Sequence, residues 1–370
     1  RMGKNLKPVI FISAINFTVG GPLSILQDCL SYLQTNCLDD YRVIALVHDK
    51  KLLDKIDGIE AIEYPQSVRS YFYRMYYEYF YFNKLSKTLK PYLWLSLHDM
   101  TPAVKADIRA VYCHNPAPFY KLCLNQILLE PTFTLFNIFY RYIYKINIKK
   151  NDYVIVQQNW LRNEFKKIFQ VNSVIVAYPN VQDIQAQLVS SDRGAYQFFF
   201  PTLPRFFKNI EVIIAAVRIL NERQCNNFEV VITIDGTENK YAQQLVDDSD
   251  GVEHVNFIGR VAREKVFELY GQSDCLIFPS KLETWGLPIT EFKQFNKPML
   301  VADLLYARET VGDYQQVSFF DPEASCVLAD MMQNLMNGNI LFSGNKTTKV
   351  ETPFTQSWAE LFDLLLGKVR

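Results

Sequence analysis

The chain has no surplus of either charge: 39 Lys and Arg balance 39 Asp and Glu over 370 residues. A nucleic-acid-binding protein would carry a basic excess, so that class is set aside. The seven cysteines (Cys29, Cys37, Cys113, Cys123, Cys225, Cys275, Cys326) are odd in number, scattered, and never spaced C-x-x-C. Neither a zinc site nor a disulfide framework is expected, and a reducing, cytoplasmic setting fits. The four histidines (His48, His98, His114, His254) are too dispersed to suggest a metal centre. No apolar segment reaches membrane-spanning length without charges. The opening Arg1-Met2-Gly3-Lys4 runs straight into Val9-Ile10-Phe11-Ile12, too short for a signal peptide, so a soluble or peripheral protein is expected. G-x-G-x-x-G is missing as well, which disfavours a dinucleotide oxidoreductase.

What is present is an alternation of short apolar runs with helical patterns, long enough for two cores. Val9 to Ser13 reads as a strand buried on both faces. Asn16 to Pro22 follows, with Gly20 and Gly21, and then a helix with Leu23, Leu26, Leu30 and Leu33 on one stripe. Strands at Tyr92–Leu97 and Ile108–Cys113 end in His98-Asp99 and His114. Open α/β sheets place their ligands at such strand ends, so His114 is a candidate, its alternative being a structural role. Val68 to Leu89 is rich in tyrosine and phenylalanine on every face, suiting either core packing or an interface with a partner, a membrane surface or sugar. Leu122 to Ile148 ends in Arg141, Lys145, Lys149 and Lys150. It reads either as packed helices with cations at a C-terminus or as amphipathic segments on an anionic membrane. The polar stretch Val181 to Tyr196 marks a domain boundary.

In the second half, the strand Gln197–Phe200 leads into a loop with Arg205 and Lys208, then a helix with Ile210, Ile213, Ile214, Val217 and Leu220 on one face. Two cations at a strand mouth can clamp a diphosphate, or they are simply solvated. Asp248-Ser249-Asp250 has the D-x-D form of a divalent-cation site but sits in a polar turn among acids, where a solvated loop is the expectation. The chain's most specific stretch is Phe278 to Glu291, a strand end, a tight loop with Glu283 and Gly286, and a helix start at Leu287-Pro288. Pro288 suits the first helical position, and the free N–H groups there attract an anion. Glu283 and Glu291 would flank those donors. Otherwise Glu291 merely complements the helix dipole and Glu283 is solvated.

Glu-Thr-Trp-Gly-Leu-Pro-Ile-Thr-Glu (Glu283–Glu291) is similar to the E-x7-E signature of the retaining glycosyltransferases of family 4, also called group 1 glycosyltransferases. Lys208-Asn209 resembles the family's Lys-Gly or Lys-Asn element, although no Gly-Arg precedes it and Arg205 lies closer than the family arginine. The resemblance is strong from Phe198 to Pro322 and looser before it. It implies an α/β, GT-B fold of two Rossmann-like doubly wound domains across a cleft, with residues 1–180 on the acceptor side and 181–352 binding a nucleotide sugar. Residues 353–370 would form a terminal helix crossing back.

By the same resemblance, His114 and Glu283 would act on the transferred sugar. Arg205, Lys208, Gly259, Arg260, Gly286, Leu287, Pro288 and Glu291 would bind the donor, with Glu291 on the ribose, and Gly20-Gly21 would line the cleft. The implied reaction moves a sugar, with retention, from a UDP- or GDP-linked donor to a hydroxyl acceptor and needs no metal or other cofactor. The acceptor would be a glycan or lipid-linked sugar of bacterial surface polysaccharide, reached in the cytoplasm or peripherally at the inner membrane face. A phosphorylase or epimerase on this fold is an alternative. So is a non-catalytic sugar-nucleotide binder, for which loss of Glu283, Glu291 or Lys208 would be expected; all three are present.

Overall fold

The computed structural model describes residues 7–18, 21–120, 131–181, 183–184, 194–339 and 341–367. These form two compact units, one of residues 1–118, 138–180 and 350–370, the other of residues 119–137 and 181–349. Each is built on a parallel sheet.

The first unit runs β1 (Val9–Ser13), α1 (Gly21–Asn36), β2 (Arg42–Val47), β3 (Glu60–Glu63), α2 (Tyr71–Tyr76), α3 (Phe82–Leu89), β4 (Leu93–Ser96) and β5 (Ile108–Cys113). It continues with α4 (Pro131–Lys145), through which the unit boundary passes, β6 (Tyr153–Val156), α5 (Asn159–Phe169) and β7 (Val174–Ala177). With β14 (Phe354–Thr355) added from the far end of the chain, the sheet order is β14-β7-β6-β5-β4-β1-β2-β3. Its inner strands are largely apolar on both faces because helices cover both, whereas the edge strand β3 reads Glu-Ala-Ile-Glu and is partly exposed. Leu26, Cys29, Leu30 and Leu33 of α1 pack onto one face without solvent exposure.

The second unit runs β8 (Tyr196–Phe200), α6 (Ile210–Glu222), β9 (Phe228–Ile232), α7 (Lys240–Asp248), β10 (Val255–Phe257), α8 (Arg263–Gln272) and β11 (Cys275–Phe278). Then come α9 (Leu287–Lys293), β12 (Met299–Ala302), α10 (Leu305–Val311), β13 (Val317–Phe320) and α11 (Ser325–Met336). The order β10-β9-β8-β11-β12-β13 reverses direction between β8 and β11. A doubly wound sheet opens a crevice at that reversal, beyond the carboxyl ends of the two strands. The chain ends with β14 (Phe354–Thr355) and α12 (Trp358–Leu365), which belong to the first unit. Phe362 stacks on Tyr32 of α1 (5.5 Å between centroids), and the Arg162 guanidinium donates to the carbonyls of Glu351 (2.7 Å) and Pro353 (3.1 Å).

Three local expectations change. The helix over Val68–Leu89 is interrupted by a π-helical stretch, Tyr77–Tyr81. Its buried residues Arg74, Glu78, Phe82 and Ser86 recur every four positions, a spacing that drifts around an α-helix, and one wider turn offsets the drift. Pro288 occupies the second position of α9, after Leu287, where its missing N–H is equally harmless. The first sheet also gains β14, a strand too short to leave a sequence signal.

Candidate active site

The site is assembled from loops at the carboxyl ends of β8, β11 and β13. Asn209 adopts a left-handed conformation (φ 56°), which asparagine tolerates. Its side-chain amide thereby donates to the carbonyls of Pro279 (3.2 Å) and Pro322 (2.9 Å), fastening the three loops together. The Phe207 carbonyl accepts from Lys281 N (2.6 Å) and Ser280 Oγ (3.2 Å). That clamp holds Lys208 beside Glu283, Nζ to Oε1 at 2.5 Å, with both side chains mostly shielded.

Glu291, on α9, is buried, and both its oxygens are held. Oε1 accepts from Arg263 Nη2 (2.6 Å) and Oε2 from the Tyr270 hydroxyl (2.9 Å). Burial and the adjoining carboxylate push the Tyr270 phenol well above its usual range, so it stays a donor. Each Glu291 oxygen keeps a second lone pair. Gly286 precedes α9 at φ 87°, where a side chain would be strained and would press on Ile289 and Phe278. The Trp285 indole closes the turn by donating to Thr290 Oγ1 (2.8 Å). Leu287 and Pro288 are partly exposed, and Arg205 and Arg260 are exposed. Gly259, after β10, has φ 71°; a Cβ there would stand 2.7 Å from Asp235 Oδ2.

His114 lies in the first unit, just after β5. Its Nε2 is 3.0 Å from the Leu97 carbonyl. A carbonyl only accepts, so Nε2 carries the proton of this hydrogen bond. The backbone N–H groups of His114 and Asn115 both donate to Asp99 Oδ1 (2.7 and 3.2 Å), which also accepts from the Tyr144 hydroxyl (2.8 Å). Gly21 is the exposed first residue of α1, while Gly20 lies outside the described residues. Asp248-Ser249-Asp250 closes α7, where Ser249 Oγ bonds back to the Leu245 carbonyl (2.6 Å). Among the described residues no group of three or more His, Cys, Asp or Glu could hold a metal ion.

Residues 182–347, nearly all of the second unit's main segment, match the family model for glycosyl transferases, group 1. Over that segment the chain is similar to group 1 glycosyl transferases. Its curated relatives include the O-antigen chain mannosyltransferase RfbU of Salmonella typhimurium, 21% identical over 210 residues, which are 56% of this chain and 55% of that protein. The O-antigen chain mannosyltransferase B of Escherichia coli is 26% identical over 145 residues, 38% and 37% of the two chains. The matched stretches thus cover about half or less of those relatives. Among solved structures, the lipopolysaccharide outer core galactosyltransferase WaaB aligns over 98% of this chain and 100% of its own with TM-score 0.64 and 11% identity. Anabaena HepE in complex with UDP-glucose aligns over 90% of each chain with TM-score 0.59 and 16% identity. The architecture is GT-B, two Rossmann-like units.

Within the matched segment the structure brings Lys208 and Glu283 into contact. Arg205 is on the same loop but points to no described ion-pair partner. Sequence reasoning overlooks Arg263 and Tyr270, the partners of Glu291. A signal exists: the two are seven residues apart on α8, two helical turns on one face. It also gives Asp99 no definite part beside His114.

Proposed function

We propose that the chain is a retaining glycosyltransferase that transfers a hexose from a nucleoside-diphosphate sugar to a hydroxyl of a growing surface glycan or lipid-linked sugar. The observation that carries this reading is the Lys208–Glu283 pair, 2.5 Å apart at the β8/β11 reversal, a cation and a carboxylate where the sheet opens its crevice. Cleaving the sugar–phosphate bond builds negative charge on the diphosphate and positive character on the sugar. Lys208, with Arg205 and the backbone amides of Gly286 and Leu287, would meet the first; Glu283 would meet the second or hold sugar hydroxyls. Groups fixed in place before reaction lower such a barrier without reorganising.

Glu291, aimed by Arg263 and Tyr270, would accept the two ribose hydroxyls on its remaining lone pairs. The backbone at Gly259 and Arg260 would rest against the base. His114 would orient the sugar, and Gly20-Gly21 would approach the diphosphate and acceptor. The acceptor's proton would pass to the departing phosphate, with no metal required. The complex of HepE with UDP-glucose supports a nucleoside-diphosphate-sugar donor, and the two O-antigen chain mannosyltransferases support a polysaccharide acceptor.

A melting-temperature screen over UDP- and GDP-sugars tests the reading. A true donor at about a hundred times its Kd stabilises the fold by roughly 2.7 kcal/mol. The expected result is a shift with one donor class that Lys208→Ala abolishes; no shift with any donor overturns the proposal.

A further inference from the structure

Arg74 and Glu78 stand four residues apart, on α2 and the π-helical stretch that follows it, and share one face. Arg74 is 4% exposed, and Glu78 is fully buried, as is His98 just after β4. Charged side chains are almost never buried so deeply unless something pairs with them. His98 stands between the two: Nδ1 is 3.4 Å from Arg74 Nη2, and Nε2 is 2.8 Å from Glu78 Oε1. Nε2 also lies 3.2 Å from Ser13 Oγ of β1 and 3.2 Å from Ser96 Oγ of β4, which are partners in the sheet register. Among the described residues Glu78 Oε2 finds no hydrogen-bond donor. An apolar pair of similar volume would serve stability as well or better, so the fold alone does not require this array.

The array sits where the first sheet reverses, between β4 and β1 in the order β5-β4-β1-β2. A doubly wound sheet opens its crevice there, and Ser13, Ser96 and His98 lie at or just past the carboxyl ends of those two strands. From below, the Arg74 guanidinium reaches the loops at that end. Nη2 donates to the His98 carbonyl (2.9 Å), in the peptide that leads into Asp99. With its amide oxygen turned toward the guanidinium, Asn16, in the loop after β1, accepts from Nη1 (3.2 Å) and Nη2 (3.3 Å). Tyr140 of α4 hydrogen-bonds Arg74, and its hydroxyl is 3.5 Å from Asp99 Oδ2. Asp99 in turn accepts from the N–H groups of His114 and Asn115. One planar donor fork thus ties the loop after β1 to the turn that supports His114.

We propose that Arg74, held by Glu78 and His98, is a positioning residue that sets the loops of Asn16 and His114 at the first unit's crevice. Its effect on catalysis rests on the glycosyltransferase reading; the ordering of the loops does not, and two measurements on the full chain keep them apart. The first contains no sugar nucleotide. Amide hydrogen exchange in Arg74→Lys should quicken at residues 14–18, 97–99 and 113–116 and stay unchanged in β2 and β6, because an ammonium cannot span the acceptors that the fork reaches. The second is turnover. Misplacing a reacting group by about 1 Å costs about 100-fold, so Arg74→Lys should lower kcat by up to that factor. The KM for the donor and the calorimetric affinity for the free nucleoside diphosphate should stay at their wild-type values. Arg74→Met with Glu78→Leu removes both buried charges together, so it should melt close to the wild-type temperature and still show the faster exchange and the lower kcat. Unchanged exchange in those loops in both variants overturns the proposal, as does faster exchange spread evenly over the first unit, the mark of a merely structural role. So does wild-type kcat in both variants of a chain that turns over a donor. Faster exchange confined to the three loops, in a chain that turns over no sugar nucleotide, supports the positioning role and fells the donor reading alone.

Discussion

Arg263 and Glu291 meet at 2.6 Å with unequal exposure: the carboxylate side chain is 5% exposed and the guanidinium 51%. The ion pair itself is therefore screened by water, and its direct contribution to stability is small. Its consequence is orientational, because Arg263 and Tyr270 together fix where the free lone pairs of Glu291 point.

Glu291→Ala is accordingly expected to weaken donor binding by about 10- to 100-fold, the loss of charge-assisted hydrogen bonds worth about 1.5–3 kcal/mol. Calorimetric titration reads this directly. Tyr270→Phe should weaken binding less, because Arg263 still holds the carboxylate. Unchanged affinity in Glu291→Ala would remove Glu291 from the site.

Lys208→Ala should lower kcat by roughly 100-fold or more if the ammonium stabilises the leaving diphosphate, the size seen when one preorganised donor is removed. Glu283→Gln keeps the shape of the pair and removes its charge, so it should also lower kcat. A rise in KM alone, with kcat intact in both variants, would reduce the pair to substrate binding.

Much of this arrangement is legible in the sequence because it is local. The stripe Ile210, Ile213, Ile214, Val217 and Leu220 specifies α6 through its own period, and all five are buried. Gly286 and Pro288 mark the turn into α9 through backbone preference alone. What escapes is long-range pairing. Arg263 reaches Glu291 across 28 positions, and Asp99 reaches Tyr144 across 45. No local pattern encodes which acid a distant donor will find. The two-residue β14 escapes for a related reason: it exists only because β7 offers it an edge.

Metal independence is a sharper matter for kinetics than for structure. Turnover in the presence of chelator should equal turnover without it, because Lys208, Arg205 and backbone amides supply the positive field in the proposed mechanism. Full loss of activity, restored by manganese, would transfer that task to a cation.

Gly259→Ala should destabilise the second unit. Its φ of 71° disfavours any side chain, and the new Cβ would stand 2.7 Å from Asp235 Oδ2. The expected cost is about 1 kcal/mol or more, read as a lower denaturation midpoint. Asp235 can rotate away only by giving up the hydrogen bonds from Thr237 N (2.9 Å) and Oγ1 (2.6 Å), so relief of the clash carries its own cost.

Asp99→Ala tests the support beneath His114. The substitution leaves the N–H groups of His114 and Asn115 and the Tyr144 hydroxyl without their shared acceptor, Oδ1. Asn115 N–H keeps the Tyr144 hydroxyl (3.1 Å) and that hydroxyl keeps the Asn115 carbonyl (3.0 Å), so the main loss is at His114 N–H, about 1–3 kcal/mol, and alanine is further disfavoured at φ 71°. Asp99→Asn keeps one acceptor oxygen and tolerates the left-handed conformation, so it should retain most of the stability. If His114 orients the sugar, Asp99→Asn should lower kcat more than it lowers the denaturation midpoint would predict, by letting the loop shift. Equal kcat in a stable Asp99→Asn variant would show that Asp99 holds the fold and not the chemistry.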